Sequence, residues 1–553
     1  MARGGRRSGG ARSRRSARRT DAAQRTAAPP PAAYAIGYLA YLGVLLLLYG
    51  PALEGPFVSD DIHYVAANDF VHGLTLENVG AILKPYGPAT VAVVNYSPVQ
   101  LLMHAAMWEW VGPETLGHHV LNLAFHALAS LLLVPLLLSS GLSLGASVLA
   151  SVFFLVHPAN VEAVAWISQL KTSSALALGL GAVLAHPRRP GLGTALFALA
   201  LLAKPNAAVV LPFAFWIEWA RTGKLRVPWL GVWIGLFLAF ALVEFTAHQR
   251  AGAAEATLID SPLVLLRTIA GLATRYVALG ATSIGVSAFH EPLAAHSWTD
   301  RWWLASLPVL GLLGWRFVVT LRRRSEEAGY WLFALFSFGP VSQIFPFLYP
   351  LADRYLYFIL PGLLGGALLA GRSLLATQDG VRRVRFERAA LGLAVATCVV
   401  FAVRTHDRAG IWRSPALILA DAARNYPDGV SASLQRARAA AQRGDAEAAV
   451  AEIRRATARG YNRFEQLQSD PAFAAIRTTS VFRAVLREIA VTWVEAGRGW
   501  EEPTQGELRR LASAHAVLGE RDAAVASLRS ALERGGPLDD AIRADLRALG
   551  AMP

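Results

Sequence analysis

Residues 34–53 read Tyr34-Ala-Ile-Gly-Tyr-Leu-Ala-Tyr-Leu-Gly-Val-Leu-Leu-Leu-Leu-Tyr-Gly-Pro-Ala-Leu53, twenty residues without a charge. A helix rises 1.5 Å per residue, so about 20 apolar residues cross a hydrocarbon core of about 30 Å. The run is too long for the core of a signal peptide and no A-x-A site follows it, so an uncleaved membrane helix is predicted. Residues 118–139, 228–247, 330–349, 354–371 and 389–404 repeat the pattern. Hydrophobic residues make up 54% of the 553, above the 45–50% or so of soluble domains. The predicted fold class is all-α, a polytopic membrane helical bundle.

Shorter apolar stretches fill the gaps between these runs. Residues 144–156, 161–185, 191–203, 206–220 and 302–319 read as further crossings, and 97–111 as a partly embedded helix. Residues 263–281 carry Arg267 and Arg275 and read as interfacial or re-entrant. The total is about eleven spans. Cations mark the cytoplasmic side of membrane proteins. The segment 1–33 is a predicted disordered cytoplasmic tail, with nine Arg and one Asp in residues 1–31. The basic loops 186–190, 221–226 and 322–324 then fall on the same side. An odd span count places the loop 54–96 and the C-terminal end outside. This clustering also explains the net charge of +14 without nucleic acid. The lone cysteine, Cys398, excludes an intrachain disulfide. Abundant Ala and Arg suggest a GC-rich bacterial genome, hence a bacterial cytoplasmic membrane.

From about residue 406 the composition turns to Ala, Arg, Glu and Asp, and a soluble helical domain is expected over 406–553. Arg443-Gly-Asp-Ala-Glu-Ala-Ala-Val450 and Gly519-Glu-Arg-Asp-Ala-Ala-Val-Ala-Ser-Leu528 are alike, each a Gly turn followed by a helix of small residues. That is the pattern of tetratricopeptide-like hairpins stacked as an α-solenoid. The bland alternative is a generic Ala-rich helical domain.

Candidate chemistry lies between the apolar runs. Asp60 and Asp61 follow the first one, where an acid can act as general base toward a hydroxyl or merely cap a helix. His119, Asn122 and His126 share one helix face; packing between helices suits them better than metal ligation, since no carboxylate is near in sequence. His157-Pro158 breaks a helix just before Glu162, and such a break is tolerated where it lines a cavity. Lys171 lies within an apolar span. Lys204-Pro205 and Asp353-Arg354-Tyr355 stand at helix ends, where phosphate binding competes with interface anchoring. The expected topology puts Asp60, Asp61, His157, Glu162, Lys204, Asp353 and Arg354 on the outer side. Acids among cations there suit a lipid-phosphate sugar donor.

Five motifs occur in order: Phe57-Val-Ser-Asp-Asp61, His119-x-x-Asn122-x-x-x-His126, His157-Pro-x-x-x-Glu162-Ala-Val-Ala-Trp-Ile167, Lys204-Pro205 and Asp353-Arg354-Tyr355-Leu-Tyr357. Over residues 34–410 the chain resembles the transmembrane and tetratricopeptide repeat-containing O-mannosyltransferases, within the GT-C glycosyltransferase superfamily. It departs from them in a delayed proline, Pro361, and a shorter repeat array. The resemblance implies Asp60 or Asp61 as catalytic base and a polyprenyl-phosphate sugar as co-substrate, with mannose the candidate sugar. It implies inversion at the anomeric carbon and a protein or glycan hydroxyl acceptor. Lys204, Arg354, His157, Glu162, Lys171, His119 and Asn122 form the expected donor-phosphate and substrate set. No metal and no other cofactor is expected. Two rival readings stand beside this one: a non-catalytic scaffold, and a lipid-sugar transporter.

Overall fold

A computed structural model describes residues 29–551, apart from 94, 251–258, 260, 345–348, 501–502 and 535–537. Most of the Arg-rich tail, residues 1–28, therefore lies outside the described residues. Helix makes up 79% of the structure, and no strand occurs among the described residues. Among the described residues, eight helices are long and apolar enough to cross a membrane: Pro31–Leu53, Thr115–Ser139, Ile167–Ala185, Val227–Ala247, Pro262–Thr282, Arg301–Arg322, Asp353–Leu375 and Gly380–Arg413. A ninth would be broken, since Leu144–Leu155 and Pro158–Ala165 meet at 49°. The chain is a multi-pass membrane protein.

Eight or nine is fewer than the eleven or so spans expected, and backbone stops explain the difference. Pro190–Ala203 has 14 residues and Val210–Thr222 has 13. At 1.5 Å per residue each rises only about 20 Å, and the 3-10 turn Pro205–Val209 separates them. The apolar run 330–349 likewise stops early. Its helix, Glu326–Phe338, passes into a 3-10 turn at Gly339–Val341. Pro262–Thr282 differs in the other direction. Arg267, buried, donates from Nε to the Ala295 carbonyl at 2.9 Å and from Nη2 to that of His296 at 2.8 Å. The Arg275 guanidinium lies 4.9 Å from the Trp302 ring centre. Both cations are satisfied within the protein, and the helix, read as interfacial or re-entrant, is long and apolar enough to cross a membrane.

Without water between them, membrane helices associate through close packing of small residues. Asp353–Leu375 uses Gly362, Gly365 and Gly366 this way against Glu326–Phe338. A Cβ on Gly365 would fall 2.0 Å from the Tyr330 ring, so even alanine is excluded.

After the last apolar helix the chain builds a helical layer in hairpins. Val430–Gln442 pairs with Ala446–Thr457, and Gln505–Leu518 with Arg521–Arg534. These are the two similar segments of the sequence. Gly444 (φ 79°) and Gly519 (φ 84°) make the left-handed turns that a side chain would strain. One core gathers Phe464, Phe473, Phe482 and Ile489 between the hairpins, and a second gathers Leu508, Leu528, Ile542 and Leu546. The layer is seated on the loop 283–296. Asp421 accepts from the Ala288 amide and from Arg408, each at 2.9 Å. Tyr426 bonds His290 Nδ1 at 2.9 Å, and the Glu291 carboxylate accepts from the amides of Val430 and Ser431.

Candidate functional site

The segment 157–172 organises the interior. Pro158 lacks an N–H and Trp166 takes an extended conformation (φ −78°, ψ 116°), so helix gives way to a short helix and two 3-10 turns. Such a break frees backbone groups, and with no water at membrane depth side chains must satisfy them. Asn122 does so, donating to the carbonyls of Trp166 (3.1 Å) and Ala163 (3.4 Å), while its Oδ1 accepts the Ser173 hydroxyl. His157 Nδ1 accepts from the Ala159 amide and Nε2 donates to the Gly280 carbonyl, both at 3.2 Å. His126 bridges the Tyr357 hydroxyl (2.8 Å) and the Leu155 carbonyl (3.0 Å), and His119 reaches the Gly55 carbonyl at 3.4 Å. All four side chains are buried. Among the described residues no three or more His, Cys, Asp or Glu are grouped to hold a metal ion.

The two adjacent acids part company. Ser59 sits at φ 52°, a left-handed conformation uncommon for any residue but glycine, and it turns the chain just before them. Asp61 is buried. Its Oδ1 accepts from the Ser168 amide at 2.6 Å and its Oδ2 from the Val58 amide at 3.0 Å, so it ties the loop 54–96 to the break. It makes no capping bond to the helical turn it precedes. Burial pushes its carboxyl up to about 7, neighbouring Asp60 adds to that, and the two amide bonds oppose it. Asp60 is half-buried. Its carbonyl accepts from the Tyr64 amide at 2.9 Å, and among the described residues its carboxylate has no partner.

Three cations converge on the same segment. Lys171 Nζ donates to the Tyr64 hydroxyl at 2.7 Å and stands 4.2 Å from that ring's centre. The hydroxyl also accepts from Asn95 at 2.6 Å and donates to the Val93 carbonyl at 3.2 Å. Lys204 Nζ donates to Thr172 at 2.7 Å, close enough to Lys171, Arg354 and Glu162 to feel all three charges. Arg354 forms an ion pair with Glu162, and its amide donates to Glu162 Oε2 at 2.7 Å. Its guanidinium also lies 5.4, 5.2 and 4.8 Å from the rings of Trp166, Tyr349 and Tyr355. Trp166 in turn donates to the Val58 carbonyl at 3.2 Å, which links this end to the acidic turn.

Glu162, Lys171, Lys204 and Arg354 thus gather around 157–172, and Asp60 adjoins Asp61, which bonds Ser168 of that segment, whereas His119, Asn122 and His157 brace the break from within. Asp353 turns away from its neighbour Arg354. It accepts from Ser287 at 3.0 Å and His290 at 2.7 Å and holds the seat of the C-terminal layer. No sequence motif marks Tyr64, Asn95, Thr172 or Glu244 as functional. Glu244 left a signal, as the one acid in the run 228–247. The other three left none, being common polar residues outside any motif.

No family model matches the chain, and no solved structure does. The sequence is similar to a protein O-mannosyl-transferase of Caenorhabditis elegans, 25% identical over 411 residues. The match covers 68% of this chain and 56% of that protein, so the chain spans about half the length of its relative.

Proposed function

We propose that this chain is a membrane glycosyltransferase of GT-C type that moves a sugar from a polyprenyl-phosphate donor to a hydroxyl acceptor. The observation that carries the proposal is a carboxylate, Asp60, that has no partner among the described residues and stands next to Asp61, which bonds the segment on which Lys171, Lys204 and Arg354 converge. The likeness to an O-mannosyl-transferase supports the same reading and makes mannose the candidate sugar and protein Ser/Thr a candidate acceptor.

Asp60 acts as general base. It takes the acceptor proton as the acceptor oxygen bonds to the anomeric carbon; the sugar–phosphate bond breaks with its electron pair going to the phosphate. Attack from the face opposite the leaving group inverts that carbon. Negative charge grows on the phosphate, and fixed cations in a site poor in water stabilise it strongly. Lys171 and Lys204 supply point charges. Arg354, which can bind phosphate through two N–H groups, is held in orientation by Glu162 and three aromatic rings. No metal or other cofactor is assigned a role. Asp61, His119, Asn122 and His157 position the break and do not touch substrate.

With the broken pair Leu144–Ala165 counted as a ninth span, the Arg-rich tail and basic loops support a cytoplasmic N-terminus, with the site and residues 406–553 outside a bacterial cytoplasmic membrane. The helical hairpins, taken as tetratricopeptide-like, hold a protein acceptor or partner. The decisive experiment incubates purified protein with polyprenyl-phosphate mannose and a Ser/Thr peptide. Transfer in the wild type that is lost in Asp60→Asn supports the proposal. Equal transfer by both overturns the assignment of the base. A reporter at residue 553 that works only in the cytoplasm overturns the orientation.

A further inference from the structure

Glu244 lies on Val227–Arg250, in a stretch that is otherwise free of charge from 228 to 247. A carboxylate at membrane depth is costly and is kept where it serves a purpose. Its Oε2 accepts one bond, from the Tyr96 amide at 2.8 Å. A carboxylate has room for about four, and Oε1 takes none among the described residues. The side chain is half-buried, so it borders accessible space.

Its neighbours belong to the donor site. Tyr96 follows Asn95, Asn95 donates to the Tyr64 hydroxyl, and that hydroxyl accepts from Lys171. Glu244 is close enough to Lys171 for their charges to attract, yet the ammonium bonds Tyr64 instead. The carboxylate is therefore not consumed by an ion pair. Nor can it bind the donor phosphate, since two anions repel. The remaining part of the donor within reach is the sugar next to that phosphate, whose hydroxyls are the donors an open carboxylate oxygen accepts.

We propose that Glu244 recognises the sugar of the lipid-linked donor by accepting hydrogen bonds from its hydroxyls, making it a specificity-determining residue. The inference rests on the donor class assigned above. Bonds from hydroxyls to a charged acceptor are each worth about 1.5–3 kcal/mol, or roughly ten- to a hundredfold in affinity. Lys171 and the other cations hold the phosphate whether or not sugar is attached, so Glu244 matters only for the glycosylated lipid.

The test compares wild type, Glu244→Ala and Glu244→Gln, each checked for monodispersity in detergent. Binding is measured for polyprenyl-phosphate mannose and for polyprenyl phosphate without sugar, and KM and kcat are measured for transfer. The expected result for Glu244→Ala is about tenfold or more weaker binding and higher KM for the mannosylated lipid. Affinity for the bare lipid phosphate should stay within about twofold. Glu244→Gln keeps an acceptor oxygen and recovers part of the loss. Equal weakening toward both lipids overturns the proposal and makes Glu244 a support for Lys171. Unchanged binding of both overturns it too. A wild type that binds neither lipid and transfers nothing fails earlier, on the donor class, and removes the ground for the inference.

Discussion

Two polar clusters lie side by side within the bundle and differ in one respect. In the first, His119, Asn122, His126 and His157 spend their bonds chiefly on backbone groups: Asn122 and His126 on carbonyls in or beside the break at 157–167, His119 and His157 on the carbonyls of Gly55 and Gly280. In the second, Asp60 has no partner among the described residues, and Lys171 and Lys204 each rest on a single hydroxyl. The first cluster is closed except at His119 Nδ1, which is buried without a partner among the described residues, and it holds shape. The second has bonding capacity to spare, which is what a substrate needs. Residue type did not distinguish them, because both contain the polar residues that sequence motifs single out. Bond satisfaction does.

The largest effect should fall on the open cluster. Asp60→Asn removes the base and should lower transfer about 10²–10⁴-fold, with a thermal unfolding midpoint near that of the wild type. A large drop in that midpoint would move Asp60 into the closed set.

Arg354→Ala tests the cation of the open cluster whose charge is already paired, with Glu162. It strands Glu162 as a buried unpaired charge, which typically costs about 3–5 kcal/mol. Yield and thermal midpoint should fall together with transfer, and Arg354→Lys should restore part of each. Full yield with lost transfer would instead place Arg354 wholly in the open set.

Lys204→Ala leaves no buried acid without its main partner. It should reduce turnover about a hundredfold, as when one donor to a developing anion is lost, with little change in yield. Normal turnover would return Lys204 to helix anchoring.

In the closed cluster, Asn122→Ala strands two carbonyls and should cost about 1–3 kcal/mol of stability. The kcat of the protein that remains folded should be close to wild type. A hundredfold loss of kcat without destabilisation would show that Asn122 meets substrate.

A pH dependence is expected from Asp61, the hinge between the clusters. Its folded carboxyl is raised from 3.8 to about 7, chiefly by burial. The folded state thus binds this proton more tightly than the unfolded state. The stability contributed is fully present below about 3.8 and is lost as pH rises through about 7. The stability of wild type relative to Asp61→Asn should therefore decline between pH 4 and pH 8. A flat difference would mean that Asp61 ionises as freely as an exposed acid.

Much of this was legible in order and composition. Runs such as 34–53 and 118–139 specify helix and membrane together, because length and apolarity are properties of the segment itself. The two Gly-led segments at 443–450 and 519–528 became helical hairpins because Gly at a left-handed turn followed by small residues is a local instruction. The span count was less legible. Residues 191–203 and 206–220 read as crossings although each helix is too short for one, and Gly339 ends a helix within a run whose hydropathy continues past it. Arg267 and Arg275 suggested an interface because their partners, at Ala295, His296 and Trp302, are about thirty residues away.

The site divides along the same line. By itself the sequence determined that acids, histidines and cations punctuate an apolar chain at the ends of its helices, since insertion into a bilayer sorts residues by polarity. Only the tertiary structure decided what each of them does. Asp60 and Asp61 are adjacent and chemically identical, yet the carboxylate of one has no partner among the described residues and the other is spent on the amides of Val58 and Ser168, the latter 107 residues away. Arg354 and Asp353 are adjacent too, and they face Glu162 and His290 in opposite directions. Bonding capacity is fixed by residue type, but how much of it remains unspent depends on partners brought from distant helices, and that is settled only when the chain has packed.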